Sequence, residues 1–152
     1  MSDPVSDPVT GPGTDPVEQV LEANGAFYAA VENADLDAIR AVWLDDPGTV
    51  CVHPGVLPVR GTTAIARSWA LVMAHTSYIQ YFLTDVEVTV RGEVASVSCT
   101  ENVLTGDAST GPDAFGGGKA VATNVFVVTP EGWRLWIHHA APVLSQDQDL
   151  DA

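Results

Sequence analysis

The apolar residues of this chain change their spacing once, near His75, and that change constrains the fold more than any other feature. Before it they recur every three or four residues, which is the period of an amphipathic helix. After it they alternate, which is the period of a strand with one buried face. Helices followed by consecutive strands predict an α+β domain in which the helices pack on one antiparallel sheet.

Three helices are predicted in the first half of the chain. Asp15 and Pro16 supply an N-cap and a proline at the first helical position, so a helix begins there and continues to about Asn33. Asp35 caps a short second helix, and Thr62 caps a third. Between the last two helices, the segment "TVCVHPG" is typical of a short strand and turn.

Four strands are predicted in the second half: "YIQYFLTDVEVTV", Val94 to Leu104, Ala120 to Val128 and "GWRLWIHHAAP". The glycine-rich segment 105–119 between the second and third is expected to be a flexible loop near a pocket mouth. Its "GGGK" lacks the spacing and the following helix of a phosphate-binding loop, so no nucleotide site is predicted there.

Two titratable residues fall on rows that alternation assigns to the buried face of the sheet. Glu101 continues an apolar row of its strand. His139 continues the row of Trp133, Leu135 and Ile137, which sends His138 to the outer face. An unpaired buried carboxylate costs several kcal/mol, so Glu101 must pair, stay protonated or line a wet pocket. A curved sheet would bring Glu101, His139 and Asn124, which is also on a buried row, around one cavity.

Bulk composition narrows the functional classes. The 152 residues fit one domain, and 20 acidic against 6 basic side chains give a net charge of −14. Such a surface repels nucleic acid and anionic membranes, so neither is an expected partner. We expect acidic tails at 1–14 and 144–152 around a domain at 15–143, and no signal peptide. Cys51 and Cys99 lack metal-ligand spacing, which predicts buried reduced thiols in a cytoplasmic protein.

Three segments together resemble the NTF2-like superfamily: "FYAAVENADLDAIRAVWLDD", "VCVHPGVLPVRGTTAIARSW" and "ATNVFVVTPEGWRLWIHHAAP". That group includes ketosteroid isomerase, SnoaL-type polyketide cyclases and the association domain of calcium/calmodulin-dependent protein kinase II. The resemblance covers about residues 17–143. It implies a cone-shaped, cystatin-like roll of three helices on a strongly curved sheet, with an internal pocket and dimerisation through the convex face.

The resemblance also allows a check of the isomerase's catalytic positions, which fall at Phe27, His53 and Asn124. None keeps the isomerase residue, so steroid isomerisation is not expected. A histidine near the end of the last strand is typical of the SnoaL-like and kinase-association-domain branch, which this chain resembles more closely.

The predicted catalytic residues are His53, Glu101 and His139. His53 either exchanges protons with a substrate or caps the turn before Pro54. Glu101 and His139 form either a carboxylate–imidazole dyad or a structural pair. The three have the composition of a two-histidine, one-carboxylate iron site, but no spacing motif supports it, so no metal and no cofactor are expected.

Five residues are predicted to contact the substrate: Tyr28, Trp43, Trp69, Asn124 and Phe126. Asn124 either donates to a substrate carbonyl or bonds neighbouring backbone, and Tyr28 either enters the pocket or packs in the core. Two functional classes remain. One is an acid–base enzyme (a cyclase, dehydratase, isomerase or hydrolase) acting on a small apolar molecule. The other is a non-catalytic ligand-binding or oligomerisation module.

A homodimer is predicted through the outer face of the sheet. Alternation places a large apolar set on that face, and an isologous contact would cover it. The predicted interface residues are Val121, Val125, Arg134, Trp136 and His138.

Overall fold

The computed structural model describes residues 15–107 and 115–144. Three helices, α1 Pro16–Glu32, α2 Leu36–Val42 and α3 Thr62–His75, lie on one face of a six-stranded sheet. The strands are β1 Val50–Val52, β2 Val59–Arg60, β3 Thr76–Arg91, β4 Val94–Asp107, β5 Phe115–Thr129 and β6 Gly132–Pro142, in the order β2-β1-β6-β5-β4-β3. The predicted α+β class is confirmed. The predicted tails, except Leu144, lie outside the described residues.

The helix starts follow the capping residues. The side chain of Asp15 accepts a hydrogen bond from the backbone N–H of Val17, and that of Asp35 accepts one from Ala38. At α3 the prediction was wrong by one residue, because Gly61 with φ of +87° occupies the N-cap. Thr62 instead donates its hydroxyl to the Leu44 carbonyl, 2.6 Å away.

Part of the glycine-rich segment 105–119, predicted to be a loop, forms strand instead. β4 extends to Asp107 and β5 begins at Phe115, so residues 116–119 belong to a strand. A Cβ on Gly117 would lie 2.4 Å from the carbonyl oxygen of Val103, on the neighbouring strand. Glycine at this position permits the close approach of β4 and β5. Sequence patterns alone assign these glycines to a loop.

A β-bulge in β6 decides which of the two adjacent histidines is buried. Val125 pairs with Ile137 and Phe126 pairs with Leu135, so Trp136 is an extra residue opposite the β5 backbone. The row that begins with Trp133 and Leu135 therefore continues through His138 after the bulge. His138 is 2% exposed, whereas His139 is exposed on the outer face. The predicted orientation was wrong because strict alternation does not survive a bulge.

The core lies between the helices and the inner face of the sheet. Phe27 is at its centre, with ring contacts to Tyr28, Trp43, Trp69 and His138. Cys51 and Cys99 are free thiols and both are buried, as predicted. Within the described ranges, none of the helices combines the length and the apolar character needed to cross a membrane.

Candidate functional site

A cavity of about 300 Å³ lies between α3 and the inner face of the sheet. Its wall is mostly apolar, formed by Trp69, Val72, Ile79, Val103 and Ala120. It opens to solvent beside Pro54, Gly118 and Lys119, all of which are exposed. Besides the exposed Lys119, four polar residues border it, and all four are buried or half-buried: His53, Tyr81, Glu101 and His138.

Glu101 is 3% exposed, and among the described residues its side chain is hydrogen-bonded to Tyr28. The hydroxyl of Tyr28 donates to its Oε2 over 2.6 Å. Burial raises the pKa of Glu101, and the Tyr28 hydrogen bond opposes that rise. Burial and the nearby Glu101 charge raise the pKa of Tyr28, so this phenol keeps its proton and remains a donor.

Asn124 connects Tyr28 to His138. Its side-chain nitrogen donates to the Tyr28 hydroxyl oxygen at 3.1 Å and to Oδ1 of Asn24 at 2.8 Å. The amide oxygen of Asn124 therefore faces Nδ1 of His138, which lies 2.6 Å away. An amide oxygen only accepts, so Nδ1 of a neutral His138 carries the proton and Nε2 keeps its lone pair.

Burial keeps His138 neutral. It lowers the pKa of His138 to about 3, with smaller contributions from His53 and His139. The residue pairs with Asn124 across β5 and β6 and with Cys51 of β1, so its backbone is held by strands on both sides, and its ring is hydrogen-bonded to Asn124. Its uncharged imidazole is thus a proton or hydrogen-bond acceptor at the cavity wall.

His53 follows β1 and is oriented by α3. Its Nε2 lies 2.9 Å from the hydroxyl of Ser68, whose proton is donated to the Ile65 carbonyl. Nε2 must therefore donate, which leaves the lone pair on Nδ1. The imidazole packs edge-on against Trp69 with ring centroids 4.5 Å apart. Burial lowers the pKa of His53, so it too is neutral at neutral pH.

The predicted site residues divide into three groups. His53, Glu101 and Trp69 border the cavity. Tyr28 and Asn124 lie behind its wall and orient Glu101 and His138. The remaining three lie away from the wall. Trp43 and Phe126 are in the core, and His139 is on the outer face, so the predicted contact between His139 and Glu101 is not formed.

Sequence reasoning missed His138 and Tyr81. Tyr81 follows Ile79 on the inner row of β3, a signal that alternation within "YIQYFL" already carried. His138 carried no such signal, since only the bulge turns it inward. Among residues 15–107 and 115–144, no three His, Cys, Asp or Glu side chains are grouped so as to hold a metal ion.

Comparison with known proteins places these features in a wider context. The sequence profile of the SnoaL-like domain matches residues 20–145. A crystal structure from Streptomyces avermitilis, provisionally described as a dehydratase from the NTF2-like family, is 48% identical. The match covers 86% of this chain and 98% of that one, with a TM-score of 0.80.

Two further proteins are similar over most of the chain. One is a structure from Thiobacillus denitrificans, provisionally described as a calcium/calmodulin-dependent protein kinase type II association domain. It is 30% identical over 80% of this chain and 92% of that one, with a TM-score of 0.68. The other is the F-box protein SKIP8 of Arabidopsis thaliana, 23% identical over 86% of this chain. The chain spans only about half, 52%, of the length of that curated relative.

Proposed function

Because this chain belongs to the SnoaL-like family of NTF2-like proteins, we propose that it is a small-molecule enzyme whose cavity performs acid–base chemistry without a cofactor. The observation that carries the proposal is the juxtaposition of two neutral imidazoles with a buried carboxyl group around one apolar cavity of about 300 Å³. Environments that separate the pKa values of neighbouring groups are typical of sites with an acid and a base.

Three of the polar groups have a role in this proposal. His53, at the mouth, accepts a proton from the substrate. Glu101, whose pKa burial raises, exchanges a second proton with the bound substrate. His138 takes the place that the sequence assigned to His139, with Nε2 accepting a hydrogen bond from the substrate. Of the lyase, isomerase and hydrolase types, elimination of water is favoured by the description of the Streptomyces relative.

The test is a screen of hydroxylated metabolites by thermal shift, followed by mass spectrometry of each ligand for loss of water. His53→Gln and Glu101→Gln are expected to lower turnover by about 100-fold or more, as loss of a general acid or base does. His139→Gln is the matched control and should retain full turnover, because His139 lies on the outer face. Ligands that bind but are never converted would contradict the enzymatic proposal.

The second candidate is a non-catalytic ligand-binding or oligomerisation module. The relative described as a kinase association domain favours it. It predicts that a bound metabolite is recovered unchanged and that His53→Gln alters only affinity. The turnover measurement above therefore separates the two candidates.

We also propose a homodimer formed through the outer face of the sheet. Val121 and Phe82 are 50% and 52% exposed there, and Trp136 is 36% exposed. Val125 and Arg134 belong to the same face through their pairing with Ile137 and Val127. His138 does not, because the bulge turns it inward. Two buried free thiols favour a cytoplasmic location for this dimer.

A further inference from the structure

Glu101 presents one carboxyl oxygen that has no hydrogen-bond partner among the described residues. Oε2 is bonded to Tyr28, and no described residue donates to Oε1. Among described atoms, only the indole nitrogens of Trp43 and Trp69 are both sealed from solvent and unpartnered. Oε1 is therefore not sealed, and since Glu101 is 3% exposed and borders the cavity, this oxygen reaches the cavity space.

No Lys or Arg side chain of the described residues compensates this carboxylate. All six Lys and Arg residues of the chain lie in the described ranges: Arg40, Arg60, Arg67, Arg91, Lys119 and Arg134. Of these, Lys119 alone borders the cavity. Its register opposite Asn102 places it on the outer row of β5, between the inward-facing Gly118 and Ala120, and it is exposed.

The other polar groups of the wall are also acceptors. The proton on Nδ1 of His138 is used by Asn124, so its Nε2 offers a lone pair. His53 donates the proton on its Nε2 to the hydroxyl oxygen of Ser68, so the Nδ1 of His53 also offers a lone pair. The hydroxyl of Tyr81 is the remaining polar group at the described wall and both donates and accepts. A ligand that fits this wall supplies hydrogen-bond donors.

From the free carboxyl oxygen of Glu101, the acceptor-rich wall and the absence of a cation beside it in the described structure, we propose that the ligand is a small apolar molecule bearing a protonated amine. The ammonium group pairs with Oε1 of Glu101, and the hydrocarbon body packs on Trp69, Val72 and Ile79. Pairing removes the cost of burying the carboxylate alone, and the net charge of −14 attracts a cation to the mouth. This inference rests on the proposed function, whose substrate class it specifies.

The experiment compares benzylamine, benzyl alcohol and benzoate, which share one ring and differ in their polar group. Binding to the full chain is measured at neutral pH by two-dimensional NMR titration. Benzylamine should bind about tenfold or more tightly than benzyl alcohol, and benzoate should bind most weakly. Equal affinity for amine and alcohol, or preference for benzoate, would overturn the amine assignment and leave the pocket standing. Binding of none of the three would overturn the proposed pocket function together with it.

Two variants assign the preference to Glu101. In Glu101→Gln the advantage of benzylamine should disappear while benzyl alcohol still binds, which also shows that the cavity is formed. Glu87→Gln removes an exposed carboxylate from the outer row of β3 and should keep the amine preference. If Glu87→Gln lowers it as much as Glu101→Gln does, the overall charge and not Glu101 selects the amine, and the proposal is wrong. The wild-type ranking decides the proposal even if Glu101→Gln does not fold.

Discussion

At the scale of single residues, His138 makes stability depend on pH. Burial lowers its pKa to about 3 from the ordinary 6.5, so between these values the unfolded chain binds a proton that the folded chain refuses. The contribution of neutral His138 to the free energy of unfolding is therefore fully present above pH 6.5, and it is lost as the pH falls from there towards about 3. Glu101 acts oppositely, because its raised pKa makes the folded chain hold a proton that the unfolded chain releases.

Comparing the wild type with His138→Gln separates the contribution of His138 to the pH dependence of stability from the contributions of Glu101 and His53. Lowering the pH from about 7.5 to about 5 should cost the wild type about 2 kcal/mol more unfolding free energy than the variant. Urea unfolding at the two pH values measures this difference. Identical pH responses of the two proteins would show that His138 is not held neutral by burial.

At the scale of elements, β5 contains a matched pair of adjacent glycines. A Cβ on Gly117 would lie 2.4 Å from the Val103 carbonyl oxygen, whereas a Cβ on Gly118 meets no atom within 4 Å. Gly117→Ala should therefore lower the free energy of unfolding by about 1–3 kcal/mol, as overpacking does. Gly118→Ala should change it by less than about 0.5 kcal/mol. Urea unfolding checks both, and equal effects would contradict the close approach of β4 and β5.

At the scale of the whole molecule, the outer sheet face decides assembly. Val121→Lys places a charge on each side of the proposed two-fold contact, so the mass from light scattering at micromolar concentration should fall from dimer to monomer. Leu57→Lys is the control, since Leu57 is 84% exposed and lies outside the sheet. A monomeric wild type, or a dimer that Val121→Lys leaves intact, would refute this interface.

Local sequence patterns were sufficient to predict those features that depend on residues close together in the sequence. The caps at Asp15 and Asp35, the two apolar periods and the burial of Glu101 and Asn124 all follow from contacts that a short segment makes with water or with itself. The α+β class follows from the order of those segments. The cavity residues His53, Glu101 and Trp69 were predictable for the same reason, helped by the resemblance to known relatives.

Tertiary structure alone decided the rest. The bulge at Trp136 exists only in the pairing of β6 with β5, and it exchanges the faces of His138 and His139. The path from His138 through Asn124 and Tyr28 to Glu101 joins three strands and one helix, so its proton positions follow from contacts between different elements. The glycines of β5 pair as a strand because Val103 approaches them closely. In each case the contact that determines the conformation is made with a residue on another element, so a pattern within one segment cannot predict it.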